Sequence, residues 1–161
     1  MRIPRHALYM KIARCVSERS TCHRLNVGAV ITLDNRIVSS GYNGTAAGLE
    51  HCRGNDCPLS NSGGCTRAIH AEDNAISRVP FVKEPKGDYR LYVTHSPCEA
   101  CAHIIIDSQG IIDILEIYYE IDYRETKPLH LLMANQIEVF KITPGGYLTD
   151  KRTNKVSLLN D

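Results

Sequence analysis

The sequence predicts a single α/β domain built from layers of helices and strands. Segments with apolar residues at helical spacing alternate with short runs rich in β-branched residues, which is typical of layered α/β folds. A length of 161 residues suits one domain with a substantial core. We find no internal repeat and no linker, so we expect one domain over 1–161, with a core over about 5–142 and a polar tail over 143–161.

The predicted order of elements is a helix, a hairpin, and then alternating helices and strands. An apolar stripe predicts the first helix, the pair Asp34-Asn35 predicts the hairpin turn, and Thr126 is the candidate N-cap of the last helix. The segment 46–67 lacks apolar periodicity and contains three cysteines, so we expect a long loop that something holds in place. The predicted helices cover 6–19, 69–79, 98–108 and 127–134, and the predicted strands cover 27–33, 36–39, 90–95, 111–119 and 136–142.

Composition and charge favour a small substrate over a nucleic acid. Lys and Arg number 19 and Asp and Glu number 18, so the formal charge is +1 and no net basic field attracts a phosphate backbone. Aromatic residues make up 6% of the chain and Trp is absent, which leaves few platforms for stacking bases. Met1 to Arg14 carries basic residues without a long apolar run, so we expect no signal peptide, and no apolar run in the sequence reaches membrane-spanning length. We therefore predict a cytoplasmic protein without nucleic-acid or membrane partners.

Two short motifs, His-Ala-Glu at 70–72 and Pro-Cys-Glu-Ala-Cys at 97–101, predict a catalytic zinc site. His70, Cys98 and Cys101 offer one imidazole nitrogen and two thiolates, and three protein ligands leave the fourth tetrahedral position of zinc open. We predict that each motif begins a helix. The positive partial charge at a helix N-terminus lowers the pKa of a nearby thiol and so favours its ionised form. A zinc finger or a redox-active cysteine pair would explain the two cysteines alone, but not the His-x-Glu upstream of them.

Glu72 is the predicted proton carrier of a hydrolytic deamination. It lies two residues after His70, where it can reach a zinc-bound water without being a ligand. Zinc lowers the pKa of its bound water toward about 7, and the resulting hydroxide can attack C4 of a cytosine ring. The Glu72 carboxylate can carry protons to the ring nitrogen and to the leaving amine. The two motifs together are the signature of the zinc nucleobase deaminases.

These motifs resemble the cytidine deaminase superfamily, and more closely the deoxycytidylate (dCMP) deaminases of bacterial and phage type. The resemblance covers about 22–140. Its marks are Cys22-His23-Arg24, Val27-Gly28-Ala29-Val30, Gly41-Tyr42-Asn43-Gly44, His51-Cys52, Cys57, Cys65, Arg67-Ala68-Ile69-His70-Ala71-Glu72-Asp73-Asn74-Ala75 and Tyr92-Val93-Thr94-His95-Ser96-Pro97-Cys98.

The resemblance implies a fold, an activity and partners. The fold would be a three-layer α/β/α sandwich with a five-stranded mixed sheet flanked by helices. The activity would be hydrolysis of dCMP to dUMP and ammonia, which supplies dUMP for thymidylate synthesis. Many relatives are homo-oligomers, often hexamers, that dCTP activates and dTTP inhibits, with Mg²⁺ on the triphosphates, so we expect the same partners here.

The resemblance also implies substrate-binding residues. Asn43 is similar in placement to the residue that holds the sugar, and Tyr123 and Arg124 to residues near the phosphate. Arg124 offers a planar fork of donors suited to phosphate, and Arg24 is the alternative. Ala71 and Ser96 are further candidates because they lie inside the matched motifs. A turn residue remains the alternative for Asn43, and a solvated loop charge remains the alternative for Arg124.

A second zinc site is predicted from the remaining cysteines. Some phage relatives have an acidic residue two positions before the zinc histidine, and it helps to bind a second zinc; this chain has Ala68 there. The extra Cys57 and Cys65 could replace the missing ligands, and with two further cysteines they would give a closed, four-sulfur structural site. Unliganded thiols are the alternative. The candidate ligands are Cys22, Cys52, Cys57 and Cys65, with His51 as a possible substitute for one of them.

Two other functions remain open. One is a deaminase of free cytosine or cytidine, or of adenosine in tRNA, and the near-neutral charge disfavours tRNA. The other is a zinc-stabilised binding module without activity, which would have no need of a general base at Glu72. The stretch 41–44 together with the cysteine-rich insert favours dCMP as the substrate.

Overall fold

The computed structural model describes residues 2–52, 57–60, 63–80 and 87–159, which form four helices and nine strands. The helices are α1 (Arg5–Ser17), α2 (Ala71–Ile76), α3 (Glu99–Asp107) and α4 (Lys127–Ala134). The strands are β1 (Gly28–Leu33), β2 (Arg36–Tyr42), β3 (Gly44–Thr45), β4 (Ala68–Ile69), β5 (Tyr89–His95), β6 (Ile114–Ile121), β7 (Glu138–Ile142), β8 (Tyr147–Asp150) and β9 (Val156–Leu158).

Seven of these strands form one mixed sheet in the order β2-β1-β5-β6-β7-β8-β9. The three central strands β5, β6 and β7 run parallel, and α3 and α4 connect them, as parallel pairing requires. The pairs toward both edges of the sheet are antiparallel. The short strands β3 and β4 pair with each other beside the sheet, with Gly44 opposite Ile69.

Helices cover both faces of the sheet, which confirms the predicted three-layer α/β/α sandwich. The α1 face buries Tyr9, Met10, Ala13, Val30, Tyr92, Tyr118, Ile142 and Leu159. The opposite face, under α2, α3 and α4, buries Ala29, Ile31, Ala71, Ala75, Leu91, Val93, Ala102, Ile105, Ile117, Leu129, Leu132 and Val139, among others. In the described parts of the chain, every helix is too short or too polar to cross a bilayer.

An aromatic stack runs across the α1 face of the sheet. The rings of Tyr92 and Tyr118 are stacked with their centroids 4.9 Å apart, and Phe140 stacks on Tyr118 at 5.1 Å. Tyr9 packs against Tyr92 at 5.0 Å, and His6 lies 4.4 Å from Tyr118. The helix α1 is therefore joined to three neighbouring strands through aromatic contacts.

The sheet has seven strands rather than the five that the family resemblance implied, because the expected polar tail is folded. The residues 147–158 form β8 and β9, and Leu159 beyond them is buried against the α1 face. Both strands are short, and the turn between them is polar. Tyr147 and all three residues of β9 are exposed, and the other residues of β8 are half-buried. Neither segment therefore shows the alternation of apolar and polar residues that would indicate a strand.

Local hydrogen bonding moves the starts of two elements from their predicted positions, and a predicted helix cap is not formed. The helix α2 begins at Ala71 rather than at 69, because 68–69 pair as β4. The strand β6 begins at Ile114 rather than at 111, because the chain after α3 makes turns back to Ser108. Thr126 precedes α4 as predicted, but its helical backbone angles leave its side chain without a capping hydrogen bond.

Candidate active site

Three of the predicted metal ligands meet where α2 and α3 begin. His70 directly precedes α2 and Cys98 directly precedes α3, each with an extended backbone, and Cys101 lies in the first turn of α3. Nδ1 of His70 lies 3.1 Å from Sγ of Cys101 and 3.4 Å from Sγ of Cys98. All three potential ligand atoms lie within 4.8 Å of one another.

This donor set fits a tetrahedral zinc ion. With ordinary zinc–nitrogen and zinc–sulfur bond lengths, tetrahedral geometry separates the nitrogen and sulfur ligands by about 3.6 Å. The two distances from His70 to the sulfurs are close to this value. Two thiolates and one imidazole are also the ligands that zinc prefers over harder metals.

The protonation of the two thiols is strongly coupled. The hydrogen bond from the Cys101 thiol, assisted by His70, lowers the pKa of Cys98 to about 4 against the opposing effect of burial. The same hydrogen bond, together with burial, raises the pKa of Cys101. The hydrogen bond to Cys98 raises the pKa of His70. The pocket therefore favours a thiolate at Cys98 beside the His70 imidazole. A metal cation bound to these ligands would take the place of the proton that the two thiols share.

Glu72 lies in the first turn of α2, and only 4% of its surface is exposed. Burial raises the pKa of its carboxyl group, and the negative charge of Cys98 acts in the same direction. A raised pKa makes this carboxyl group a better proton acceptor than a free one, and a general acid–base catalyst must both accept and return a proton.

The site adjoins one open cavity of about 530 Å³, a volume in the range of small-molecule sites, while Cys101 is buried behind its wall. His70, Glu72 and Cys98 form part of its wall. The predicted substrate-binding residues all line it as well: Arg24, Asn43, Ala71, Ser96, Tyr123 and Arg124.

The Asn43 side chain is bound to the loop that precedes β1. Its Oδ1 accepts hydrogen bonds from the Val27 N–H at 2.8 Å and from the Ser20 hydroxyl at 2.7 Å. Its Nδ2 donates to the Leu25 carbonyl at 2.7 Å. Asn43 therefore shapes the cavity wall directly, and its contact with a sugar stays a prediction.

Ser96 holds the chain after β6 beside the cavity. Its hydroxyl accepts a hydrogen bond from the Tyr123 N–H at 2.7 Å, and its own N–H donates to the Ile121 carbonyl at 2.8 Å. The Arg124 guanidinium lies over the Tyr123 ring, 5.3 Å from its centroid. These contacts hold the predicted phosphate-binding segment at the wall of the cavity that His70 and Cys98 also line.

Three of the four predicted ligands of the second site come together. The thiols of Cys52, Cys57 and Cys65 lie within 4.8 Å of one another, and the sulfurs of Cys52 and Cys65 are 3.9 Å apart. Cys22 lies outside this group and lines the active-site cavity instead. Nδ1 of His51 forms a hydrogen bond of 2.7 Å with the Thr45 hydroxyl.

His95 and Gly63 are among the cavity-lining residues that the sequence did not predict. His95 ends β5 and lines the cavity; its Nδ1 lies 3.0 Å from the Thr94 hydroxyl, and burial lowers its pKa. Its position at the carboxyl end of a predicted parallel strand could have indicated a role. Gly63 also lines the cavity. No local sequence pattern indicates this, because the arginines that it contacts lie far away in the sequence.

Comparisons with known proteins agree with this site. Residues 4–116 match the family model described as the cytidine and deoxycytidylate deaminase zinc-binding region. ComE operon protein 2 of Bacillus subtilis is 40% identical over 123 residues, covering 76% of this chain and 62% of that protein. Deoxycytidylate deaminase of Mycobacterium phage D29 is 38% identical over 112 residues, covering 62% of this chain and 84% of that protein.

A solved structure is similar over most of both chains. The dCMP deaminase of cyanophage S-TIM5, in complex with dCMP and dUMP, superimposes with a TM-score of 0.69 at 31% identity and covers 84% of this chain and 95% of that one. The chain spans less than two thirds of the Bacillus subtilis protein and 43% of the deoxycytidylate deaminase of Schizosaccharomyces pombe. From the family match and the site that underlies it, the chain belongs to the cytidine and deoxycytidylate deaminases that share this zinc-binding region.

Proposed function

We propose that this protein catalyses the hydrolytic deamination of dCMP to dUMP and ammonia, and so supplies dUMP for thymidylate synthesis. The observation that carries the proposal is a buried acid, Glu72, beside a zinc-type ligand set in a nucleotide-sized cavity with two arginines at its mouth. The phage D29 relative and the cyanophage S-TIM5 neighbour, both named as dCMP deaminases, support the choice of substrate.

His70, Cys98 and Cys101 would hold the catalytic zinc, and the remaining chemistry falls to Glu72. When bound, zinc supplies a water ligand of lowered pKa as the nucleophile. Glu72 accepts a proton from the attacking water and delivers it to N3 of the cytosine ring as C4 becomes tetrahedral. It then transfers the second water-derived proton to the amino group, which leaves as ammonia while the C4 carbonyl of dUMP forms.

The chain's other cavity residues would bind the nucleotide. Arg24 and Arg124 would bind the 5′-phosphate, with Tyr123 supporting Arg124. Asn43 would border the sugar. Ala71 begins α2, and the backbone N–H groups of a first helical turn are available to a ligand such as a base carbonyl. Ser96 would act indirectly, because its hydroxyl already accepts the Tyr123 N–H.

A second, structural zinc would bind to Cys52, Cys57 and Cys65. Their sulfurs lie close enough to share one metal ion, which is the observation that supports this site. Cys22 or His51 would need to move to complete the ligand set. Homo-oligomeric assembly, and regulation by dCTP and dTTP with Mg²⁺, follow from the family resemblance alone and belong to the same proposal, as does the single-domain organisation.

Each alternative function would leave some feature of this site unused or would need a feature beyond it. A deaminase of free cytosine or cytidine has no phosphate for Arg24 and Arg124 to bind. A tRNA adenosine deaminase would require an extended basic surface. A binding module without activity would have no use for a buried carboxyl group with a raised pKa beside the ligand set.

One assay distinguishes these functions. Ammonia release from dCMP, deoxycytidine, cytosine and tRNA is measured with the zinc-loaded protein. We expect a kcat/KM for dCMP at least about 100-fold above that for deoxycytidine, because the phosphate contributes charge-assisted hydrogen bonds. Equal rates on the two substrates, or turnover of tRNA alone, would overturn the proposal.

A further inference from the structure

Two arginines from distant parts of the chain donate to one backbone oxygen at the cavity mouth. Nη1 of Arg24 lies 2.9 Å from the Gly63 carbonyl oxygen, and Nη2 of Arg124 lies 3.4 Å from the same atom. Two atoms at these distances from one oxygen are at most 6.3 Å apart. All three residues line the cavity that contains Glu72 and His70.

This separation suits a single phosphate group. Charge-assisted hydrogen bonds to phosphate are about 2.8 Å long, so two guanidinium groups at this distance can each reach a different oxygen of the same phosphate. A carbonyl oxygen has two lone pairs, and the Gly63 oxygen uses both for the arginines. It therefore fixes the direction of each planar donor group relative to the other.

Position 63 favours glycine, because of both its backbone conformation and its contact with Arg124. The backbone of Gly63 has φ +75°, a conformation that other residues rarely adopt. A Cβ atom there would lie 3.0 Å from Nη1 of Arg124 and 3.8 Å from its Cζ. A methyl group at 63 would therefore strain the backbone that carries the carbonyl and would push the guanidinium group away by a few tenths of an ångström.

The neighbouring glycine has no such constraint. A Cβ atom at Gly64 would lie 3.5 Å from the Ser60 hydroxyl oxygen, an ordinary van der Waals contact. The same loop thus contains a glycine that contacts Arg124 and an adjacent glycine that does not. The pair provides a matched control.

The Gly63 carbonyl is held in place by its own loop. The Gly63 N–H donates to the Ser60 carbonyl at 2.8 Å, and the Ser60 N–H donates to the Gly64 carbonyl at 2.8 Å. At the base of the loop, Leu59 pairs with Cys65, whose thiol belongs to the second cysteine group. The carbonyl is therefore a fixed acceptor and can preorganise the arginines before the substrate binds.

We propose that Gly63 is a positioning residue for phosphate recognition: its carbonyl aligns Arg24 and Arg124 so that they bind the 5′-phosphate of the substrate as one unit. The inference rests on the proposed function. It makes the loop between the cysteines a determinant of selectivity for a nucleotide over a nucleoside, separate from the chemistry at Glu72.

The first test compares Gly63→Ala with Gly64→Ala, using steady-state kinetics on dCMP and deoxycytidine. We expect Gly63→Ala to raise KM for dCMP by about tenfold, the effect of losing one charge-assisted hydrogen bond, and to change kcat/KM for deoxycytidine by less than about twofold. Gly64→Ala should leave both substrates unchanged. Equal losses on both substrates in Gly63→Ala would reveal a structural role and overturn the inference, while the wild-type preference for dCMP would still stand.

A second test does not depend on the folding of Gly63→Ala. Arg24→Gln, Arg124→Gln and the double variant form a cycle in which kcat/KM for dCMP is measured. Residues that act as one unit are strongly non-additive, so the double variant should lose little more than either single variant. Additive losses would mean that the arginines bind independently and that the shared carbonyl does not align them.

Discussion

At the scale of single residues, position in the fold decides which acids take part in chemistry. Glu72 and Glu99 both lie in the first turn of a helix near the metal ligands. Glu72 is buried in the cavity wall with a raised pKa, whereas the Glu99 side chain is 58% exposed and pairs with Lys127. The His-x-Glu motif predicts the role of Glu72. Burial explains why Glu72 can exchange protons with a substrate and Glu99 cannot.

Glu72→Gln should abolish turnover without removing the metal. The amide keeps the size of the side chain but cannot carry protons, and a general acid–base role is worth about 10²–10⁴-fold. Because Glu72 serves several transfers, we expect kcat to fall by at least about 10⁴-fold. Ammonia release and zinc content should be measured together, with Glu99→Gln as the control that retains both. A variant at position 72 with near wild-type kcat would remove this residue from the mechanism.

Asn43 should matter for stability as much as for binding. Its side chain makes three hydrogen bonds to the loop before β1, each worth about 1 kcal/mol, so Asn43→Ala should lower the free energy of unfolding by about 2–4 kcal/mol. Asn43→Asp retains the acceptor oxygen and should lose less. Urea denaturation measures both variants. An unchanged unfolding midpoint in Asn43→Ala would restrict this residue to ligand binding.

At the scale of elements, the strands at the far end of the sheet contribute to the core through few residues. In β8 and beyond β9, Leu148 and Leu159 pack against the α1 face, while Leu158 is 62% exposed. The adjacent leucines 158 and 159 thus have opposite environments. This alternation explains why the segment folds despite its polar composition.

Leu159→Ala should therefore destabilise the protein far more than Leu158→Ala. Truncation of a buried leucine removes apolar contacts and leaves a cavity, which costs about 2 kcal/mol or more, whereas exposed substitutions usually stay within about 0.5 kcal/mol. Thermal or urea unfolding of the two variants makes the comparison. Similar unfolding midpoints for the two variants would mean that Leu159 does not pack in the core in solution.

At the scale of the whole molecule, the two cysteine groups should give two zinc ions per chain. A structural zinc contributes directly to folding free energy, so Cys57→Ser should halve the zinc content and lower Tm while the remaining folded protein stays active. Cys15→Ser is the control, because Cys15 is exposed and belongs to neither group. Wild-type protein that is folded and active with one zinc per chain would contradict the second site.

Local sequence patterns predicted the parts of the molecule that depend on nearby residues. The spacing of His70 and Glu72, and of Cys98 and Cys101, follows from helix geometry, and α4 lies where its pattern indicated. The role of Gly63 depends on arginines 39 and 61 positions away, and no local pattern encodes such contacts. The position of Cys22 outside the thiol group is likewise a property of the folded chain.

The aromatic stack gives this protein a spectroscopic signal that is independent of its metal site. The chain has eight tyrosines and no tryptophan, so its near-ultraviolet absorption and intrinsic emission come from phenol rings. Tyr9, Tyr92 and Tyr118 are packed on the α1 face of the sheet, whereas the ligands of the zinc lie on the other face. Tyr89 and Tyr119 are buried on that other face, so near-ultraviolet circular dichroism reports on the packing of both layers. It can distinguish an inactive variant with an intact scaffold from one that has lost its fold.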